Sequence, residues 1–174
     1  MGRGTKTTDF LKECMADALL RLMEERPPAK ITVREITDLA GVGRVTWFRN
    51  FASKEEALTC KLLFLWQRYA DEHALHTAGN YTARNAADFF AFTYGIRQIL
   101  ETLCKAGLQI CIYEAFYRII SFRADEDPAD CYRRRFYAYG LFGLLTEWQK
   151  RDWYESPTEM TRVFYHLIGS WSLG

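Results

Sequence analysis

The sequence predicts an all-α protein, and three observations support this fold class. Apolar residues recur at the three- and four-residue spacing of a helix, as Leu11, Met15, Ala18 and Leu22 do in the first segment. All four prolines lie at breaks between such segments, and no turn dipeptide joins two segments that alternate as paired strands do. With 49% apolar and 26% charged residues, the 174-residue chain is typical of a globular protein that buries its own core.

Capping patterns indicate where the individual helices begin. Thr32-Val-Arg-Glu35, Ser53-Lys-Glu-Glu56 and Ser156-Pro-Thr-Glu159 are capping boxes, in which a hydroxyl and a carboxylate accept the first backbone N–H groups of a helix. Pro27-Pro28 ends the first helix, and Asp127-Pro128 supplies an N-cap and a first-position proline to a later one. The predicted helices span about residues 8–25, 32–40, 44–50, 53–76, 82–104, 107–122, 127–152 and 156–171.

The aromatic residues divide the chain into two parts. Only four of them lie within residues 1–56, whereas the other 23 lie within residues 57–174. Small apolar residues therefore pack the front of the chain and bulky rings pack the rest. We predict an N-terminal domain over residues 1–56 and a helical C-terminal domain over residues 57–174, with different roles.

Composition and motifs exclude several classes of function. The 23 basic and 22 acidic residues nearly cancel, so a basic surface has to be local. The longest apolar runs are far shorter than the roughly 18–20 residues of a membrane span, and the N-terminus lacks the apolar core of a signal peptide. We expect a cytoplasmic protein with no membrane partner. Without a GxSxG, Walker A, GxGxxG or HExxH motif, we expect neither an enzyme nor a cofactor.

Two pairs of residues have spacings that suit metal binding or redox chemistry, but we favour another interpretation of each pair. His73 and His76 are three apart and suit a metal, but no further ligand lies near them in sequence, so we expect surface histidines and no metal site. Cys104 and Cys111 are seven apart and can share a helix face as a redox pair. Packing as reduced, mostly buried thiols is the favoured alternative.

The most informative segment is residues 31–51, where two short predicted helices join through Ala40-Gly-Val-Gly43. Gly41 can adopt the left-handed conformation that ends a helix, and Ile36 and Val42 can close the angle between the two helices. Residues 26–54 contain six basic and two acidic residues, a net charge of +4, whereas the whole chain carries +1. This is the arrangement of a helix-turn-helix, whose second helix enters the major groove of DNA.

Four stretches around this turn carry a resemblance to a known family. They are Thr32-Val-Arg-Glu-Ile36, Ala40-Gly-Val42, Thr46-Trp-Phe-Arg-Asn-Phe51 and Ser53-Lys-Glu-Glu-Ala-Leu58. With them, the sequence resembles the TetR family of bacterial transcriptional regulators. The resemblance implies a homodimer that binds a palindromic double-stranded DNA operator and releases it when a small molecule enters the C-terminal domain.

The resemblance also implies which residues contact DNA. Arg44 can bind both O6 and N7 of guanine, and Val45 can touch a thymine methyl group. Arg34 matches a position that reaches a base edge in some members, and Thr46 matches one that contacts phosphate. The full predicted set is Thr32, Arg34, Arg44, Val45, Thr46, Phe48, Arg49, Asn50 and Lys54.

Two positions depart from the family's usual residues. Gly43 stands where serine is frequent, so the recognition helix lacks a hydroxyl N-cap. Phe48 stands where tyrosine is usual, which removes a phosphate hydrogen bond worth on the order of 1 kcal/mol. We therefore expect the DNA-binding geometry to be kept with a lower affinity. Trp47 and Phe51 are expected in the core, where they pack the recognition helix on the first helix.

The C-terminal domain is expected to provide a ligand cavity and a dimer interface. The predicted cavity residues are Trp66, Tyr69, Phe89, Phe92, Tyr94, Arg97, Tyr113, Glu114, Phe116 and Tyr117, for each of which plain core packing is the alternative. The predicted interface residues are Tyr137, Gly140, Leu141, Gly143, Leu144, Trp148, Met160, Phe164, Leu167 and Trp171. Here the alternative is an intramolecular hairpin that covers the cavity.

These expectations converge on a homodimeric, ligand-responsive repressor whose effector is a small apolar or aromatic molecule. The alternative is a related co-activator or adaptor that acts through a protein partner with weak or altered DNA binding. Gly43 and Phe48 support that alternative. A helical enzyme that uses the aromatic residues is a third class, and no motif supports it.

Overall fold

The computed structural model of the chain describes residues 3–75, 86–120 and 128–170. In these three ranges the chain forms nine α-helices and a short 3-10 helix over Pro28–Lys30. The predicted all-α class is confirmed. The helices are α1 (Arg3–Glu25), α2 (Val33–Ala40), α3 (Arg44–Asn50), α4 (Lys54–Glu72), α5 (Ala86–Gly95), α6 (Arg97–Lys105), α7 (Gln109–Ile119), α8 (Pro128–Lys150) and α9 (Pro157–Ser170).

The predicted capping boxes set the starts of α2, α4 and α9. At α2, the Thr32 hydroxyl accepts the Glu35 N–H at 3.3 Å, and the Glu35 carboxylate accepts the Thr32 N–H at 2.8 Å. Ser156 and its glutamate make the same pair of bonds at 3.3 and 2.7 Å. At α4 the carboxylate of Glu56 instead accepts the N–H of Ala52 at 2.7 Å. Each helix start therefore satisfies backbone N–H groups that would otherwise be unpaired.

Hydrogen bonds in two of these boxes lower the pKa of their glutamates. The Thr32 backbone N–H is the largest cause for Glu35, and the Ser156 hydroxyl is the largest cause for Glu159. Because the pKa of each glutamate is lower in the folded than in the unfolded protein, its ionised carboxylate stabilises the folded state. This contribution is fully present above the usual pKa of 4.5 and is lost as the pH falls through the folded-state pKa.

We therefore expect Glu35→Gln to weaken the pH dependence of unfolding in acid. Glutamine can keep the capping bond but does not titrate, so the loss of unfolding free energy between about pH 6 and pH 3 should be smaller than in the wild type. Urea titrations across this range measure the difference. Glu24→Gln, at an exposed position of α1 outside the boxes, is the control. Equal acid dependence in the wild type and Glu35→Gln would contradict the prediction.

The helix predicted over residues 82–104 is interrupted, so this prediction is wrong in its continuity. Residues 86–105 form α5 and α6, which are separated at Ile96. The Arg97 guanidinium donates to the Tyr94 carbonyl oxygen at 3.0 Å and lies 4.3 Å from the centroid of the Tyr94 ring. At the break, the Tyr94 carbonyl oxygen thus accepts a hydrogen bond from the Arg97 side chain. In a continuous helix, such a carbonyl accepts from a backbone N–H four residues later. Residues 82–85 lie outside the described residues.

The two candidate redox cysteines lie in different helices. Cys104 is in α6 and Cys111 is in α7, and Gly107 between them has a positive φ of 73°. The less favoured alternative, in which they share a helix face, is therefore wrong, because a left-handed turn separates them. Burial raises the pKa of the Cys111 thiol to about 11. That thiol stays protonated at neutral pH and is a poor nucleophile.

The chain divides into two compact units. The first comprises residues 1–67 and 99–115, and the second comprises residues 68–98 and 116–174. The first unit contains α1, α2, α3 and most of α4. The functional boundary predicted at residue 56 lies within α4, inside this unit, and stays a prediction.

In the second unit the core is built around the indole of Trp148. Its ring centroid lies 5.7 Å from Tyr94, 5.1 Å from Trp153 and 6.1 Å from Phe90. Its Nε1 donates to the Glu155 carbonyl oxygen at 2.9 Å, which satisfies the buried N–H. The turn after α8 places Trp153 against this ring with a strained φ of +56°. Burial of the second indole offsets that strain.

Candidate nucleic-acid interface

The joint between α2 and α3 has the geometry that residues 31–51 predict. Gly41 has a φ of +69°, and its N–H donates to the Asp38 carbonyl. The Val42 N–H donates to the Thr37 carbonyl at 2.9 Å. These two bonds form a Schellman motif, which ends α2 and turns the chain towards α3. Gly43 then precedes α3 in an extended conformation and provides no side-chain cap.

Buried aromatic residues fix the inner face of α3. Trp47 is 2% exposed and Phe51 is 4% exposed, and their ring centroids lie 5.2 Å apart. Ile36 of α2 is fully buried in the same unit. The prediction that Trp47 and Phe51 belong to the core is confirmed. Because a helix has 3.6 residues per turn, burial of these positions turns the neighbouring ones outward.

The outer face of α3 presents two arginines and two apolar residues. Arg44, Val45, Phe48 and Arg49 are all exposed. Val45 is 61% exposed and Phe48 is 70% exposed, which is unusual for apolar side chains of this size. In a seven-residue helix, four of the predicted DNA-contacting residues therefore lie on one accessible surface. We call these four residues the α3 outer face.

Other residues of the predicted set take part in bonds within the unit. The Asn50 amide donates to the Thr46 carbonyl oxygen at 2.7 Å, so this half-buried side chain is used on its own helix. Arg34 lies 3.5 Å from the Asp38 carboxylate, and both side chains are exposed. Thr32 is exposed, but its hydroxyl belongs to the capping box of α2. These bonds orient the groups and leave Arg34 and Thr32 accessible to a ligand.

Lys54 has a structural partner that sequence reasoning missed. Its ammonium group donates to the Pro28 carbonyl oxygen at 2.7 Å, which joins the start of α4 to the 3-10 helix. No local pattern points to this bond, because the two residues are 26 apart in sequence. An ammonium group has three donors, so two remain for a phosphate. Replacement of Lys54 therefore tests the fold and the interface together.

A second missed feature joins α1 to α4. The Lys61 ammonium lies 2.8 Å from a Glu13 carboxylate oxygen and 2.8 Å from an Asp17 carboxylate oxygen. The Lys61 side chain is only 7% exposed. The sequence does contain one signal for these ion pairs, because Lys61 lies within the apolar stripe of α4, near Leu58 and Leu62. A cation at such a position requires buried partners.

Residues 16–58 match the model of a family described as bacterial regulatory proteins, tetR family. The match covers the C-terminal part of α1, all of α2 and α3, and the start of α4. This match supports a regulator of the TetR family. The domain supports a DNA-binding transcriptional regulator. No curated protein matches the chain.

The predicted ligand-cavity residues divide between the two compact units. Trp66, Tyr113 and Glu114 belong to the first unit, and the others belong to the second. Within the second unit, Phe89 packs on Phe116 with ring centroids 4.8 Å apart. Tyr69 and Phe92 pack at 5.6 Å, and two arginines lie over Tyr117. These contacts are those of packed core, and ligand binding there stays a prediction.

An apolar hollow of about 460 Å³ lies instead along α8 and α9. None of the predicted cavity residues lines it. It is lined by Phe136, Tyr137, Gly140, Leu141, Gly143, Leu144, Phe164, Leu167 and Ile168. Most of these residues belong to the predicted dimer interface.

Burial divides that predicted interface into two groups. Gly140, Gly143 and Leu167 are exposed, and Tyr137 and Leu144 are half-buried, so these five residues are accessible. Leu141, Trp148, Met160 and Phe164 are buried within the protomer, and Trp171 lies outside the described residues. The side chains of Trp148 and Met160 therefore act as core, and a dimer interface has to be built mainly from the accessible group.

In the described part of the chain, no helix has the length and apolar character for crossing a membrane. Among the same residues, no three His, Cys, Asp or Glu side chains are grouped to hold a metal ion. His73 stacks on Tyr69 with ring centroids 3.9 Å apart, and His76 lies outside the described ranges.

Proposed function

We propose that this TetR-family protein is a homodimeric repressor that binds a palindromic operator and that a small apolar or aromatic molecule releases. The single observation that carries the proposal is the α3 outer face, which combines two exposed arginines with two exposed apolar residues on a helix-turn-helix. Arginine reads guanine in the major groove, and apolar side chains read the thymine methyl group.

The α8–α9 hollow supports the dimer in this proposal. Two-fold operators require two recognition helices about 34 Å apart, so the protein needs a two-fold interface somewhere. Two of the apolar side chains that line the hollow are well exposed, Phe136 at 52% and Leu167 at 41%. Large exposed apolar patches are typical of protein interfaces. A second copy of the same face covers these residues in the proposed dimer.

Selection of bound duplexes from a random pool tests the proposal. We expect an enriched palindrome whose binding weakens steeply with salt, because bound arginines release counterions from phosphates. Titration with compounds found by thermal shift then tests for an effector that lowers operator affinity. By linkage, the operator should weaken binding of that compound by the same factor. Failure to enrich any duplex, with or without such compounds, would reject the repressor.

Arg44→Ala is the substitution that tests base recognition by the α3 outer face most directly. We expect it to cost about 1–3 kcal/mol of operator binding and to relax the base preference at one position of each half-site. Fluorescence anisotropy with the selected duplex and its single-base variants measures both effects. Arg21→Ala removes an exposed arginine of α1 outside the predicted set and should change neither. A uniform loss over all sequences would assign Arg44 to phosphate contact instead.

A second candidate function is an adaptor that acts through a protein partner. Two observations favour it: α3 begins without a side-chain cap, and Phe48 has no hydroxyl group for a phosphate. In that case the apolar half of the α3 outer face contacts protein rather than DNA. Duplex selection separates the two functions, because the adaptor enriches no sequence.

A further inference from the structure

The α8–α9 hollow has the size of a small-molecule site. Its volume is about 460 Å³, and typical ligand pockets have roughly 300–1,000 Å³. Two glycines of α8 contribute to this space, because nothing lies within 4 Å of a Cβ built at Gly140 or at Gly143. The hollow therefore exists in the single protomer and depends partly on the absence of two side chains.

The lining of the hollow selects a class of ligand. None of the nine lining residues carries a charge, and three of them, Phe136, Tyr137 and Phe164, provide aromatic rings. The Tyr137 hydroxyl is the single polar side-chain group among the nine. A charged ligand group would be buried there without a partner, which is costly. The lining thus fits a neutral, largely aromatic molecule with at most one hydrogen-bonding group.

The aromatic core of the second unit offers less space for such a molecule. Phe89 and Phe116 pack with ring centroids 4.8 Å apart, and Tyr69 and Phe92 pack at 5.6 Å. Because protein cores are close-packed, a ligand there has to separate packed rings. The α8–α9 hollow is already open, so it is the better site for the proposed effector.

The same hollow lies within the proposed dimer interface. Gly140, Gly143 and Leu167 line it and belong to the accessible group of interface residues. The cores of protein interfaces are packed as densely as protein interiors. A partner that covers this face therefore has to fill the hollow with its own side chains. A ligand in the hollow and a partner on the same face exclude each other.

We propose that a neutral aromatic effector binds in the α8–α9 hollow, displaces the partner protomer and thereby releases the operator. This inference rests on the proposed dimer and effector, and it deepens them by naming the site and the means of release. Separation of the protomers replaces two linked half-site contacts by single ones, which bind DNA far more weakly. The effector then acts on the assembly of the protein, without any change inside the DNA-binding unit.

Titration with N-phenyl-1-naphthylamine, a neutral aromatic dye that fluoresces in apolar surroundings, tests the site. We expect Gly140→Leu to weaken dye binding by about tenfold or more, because its side chain fills the hollow and the dye then overpacks it. Any loss of dimer in this variant would strengthen dye binding, so a weakening reports the filled hollow. Gly95→Leu, at an exposed helical glycine with the same open space around its Cβ, is the control and should bind the dye normally.

Competition with the partner is tested by an expected gain of affinity. Val163 is 41% exposed, lies one turn before Leu167 in α9 and does not line the hollow. We expect Val163→Arg to weaken the dimer and to bind the dye more tightly than the wild type does. The apparent dissociation constant should equal the intrinsic one divided by the monomer fraction. A dilution series of the wild type, with the monomer fraction measured by light scattering, should follow the same relation.

The outcomes separate this inference from the proposed function. Dye affinity that does not depend on the monomer fraction, or that Gly140→Leu leaves unchanged, overturns the inference alone. So does an effector that releases the operator while the protomers stay paired. A protein that binds its operator as a monomer overturns the proposed dimer, and this inference with it.

Discussion

Gly143→Arg is expected to convert the proposed dimer into monomers and to lower operator affinity by about 10²–10⁴-fold. Gly143 lines the α8–α9 hollow, is exposed, and has open space within 4 Å of where a Cβ would lie. The protomer can therefore accommodate the new side chain. A partner covering the hollow cannot, because a bulky cation would be buried without a counter-charge. The loss of affinity follows because two linked half-site contacts bind far more tightly than one.

Light scattering at micromolar concentration, together with anisotropy on the selected operator, measures both effects of Gly143→Arg. Gly95→Arg is the matched control. Gly95 is also exposed and has open space around its Cβ, but it lies in α5 of the same unit and away from the hollow. We expect this control to remain a dimer with normal binding. A wild type that is monomeric, or a Gly143→Arg variant that remains dimeric, would reject the interface.

Lys61→Ala is expected to destabilise the protein by about 3 kcal/mol or more. The substitution removes the cation that lies 2.8 Å from both Glu13 and Asp17, and it leaves two neighbouring carboxylates without it. Breaking a buried ion pair by removal of one partner typically costs about 3–5 kcal/mol. The 43% exposure of Asp17 places the expected value at the lower end. Urea unfolding at neutral pH measures it.

A second variant separates charge from packing at this position. Lys61→Met with Glu13→Gln and Asp17→Asn removes all three charges and keeps the aliphatic stem, so it should recover most of the lost stability. Lys105→Ala is the control, because the Lys105 ammonium pairs with Glu101 at 3.6 Å in a side chain that is 78% exposed. Exposed pairs contribute about 0–1 kcal/mol. The prediction would be contradicted if Lys61→Ala lowered the free energy of unfolding by no more than Lys105→Ala does.

Local chemistry explains which parts of the fold could be predicted from sequence. The capping boxes at Thr32 and Ser156 and the left-handed Gly41 depend on residues within one helical turn, and so the starts of α2 and α9 and the end of α2 could be predicted. The burial of Trp47 and Phe51 follows from their spacing. These features also fix the α3 outer face, which is why the exposed part of the candidate site could be predicted.

Contacts between distant residues explain what could not be predicted. The Lys54 bond to Pro28 and the Lys61 bond to Glu13 join residues that are 26 and 48 apart in sequence. The burial of Trp148 and Met160 depends on how α5, α8 and α9 pack, and an amphipathic stripe is the same whether a partner or its own protomer covers it.

The tryptophans give the protein built-in spectroscopic reporters. The chain has five, and Trp47, on the inner face of α3, is the one among residues 1–56. Trp148 and Trp153 pack edge to face in the core of the second unit. With fluorine-labelled tryptophan, each indole gives its own NMR resonance. Contact at the recognition helix and repacking around Trp148 would therefore be seen as separate line shifts in one spectrum.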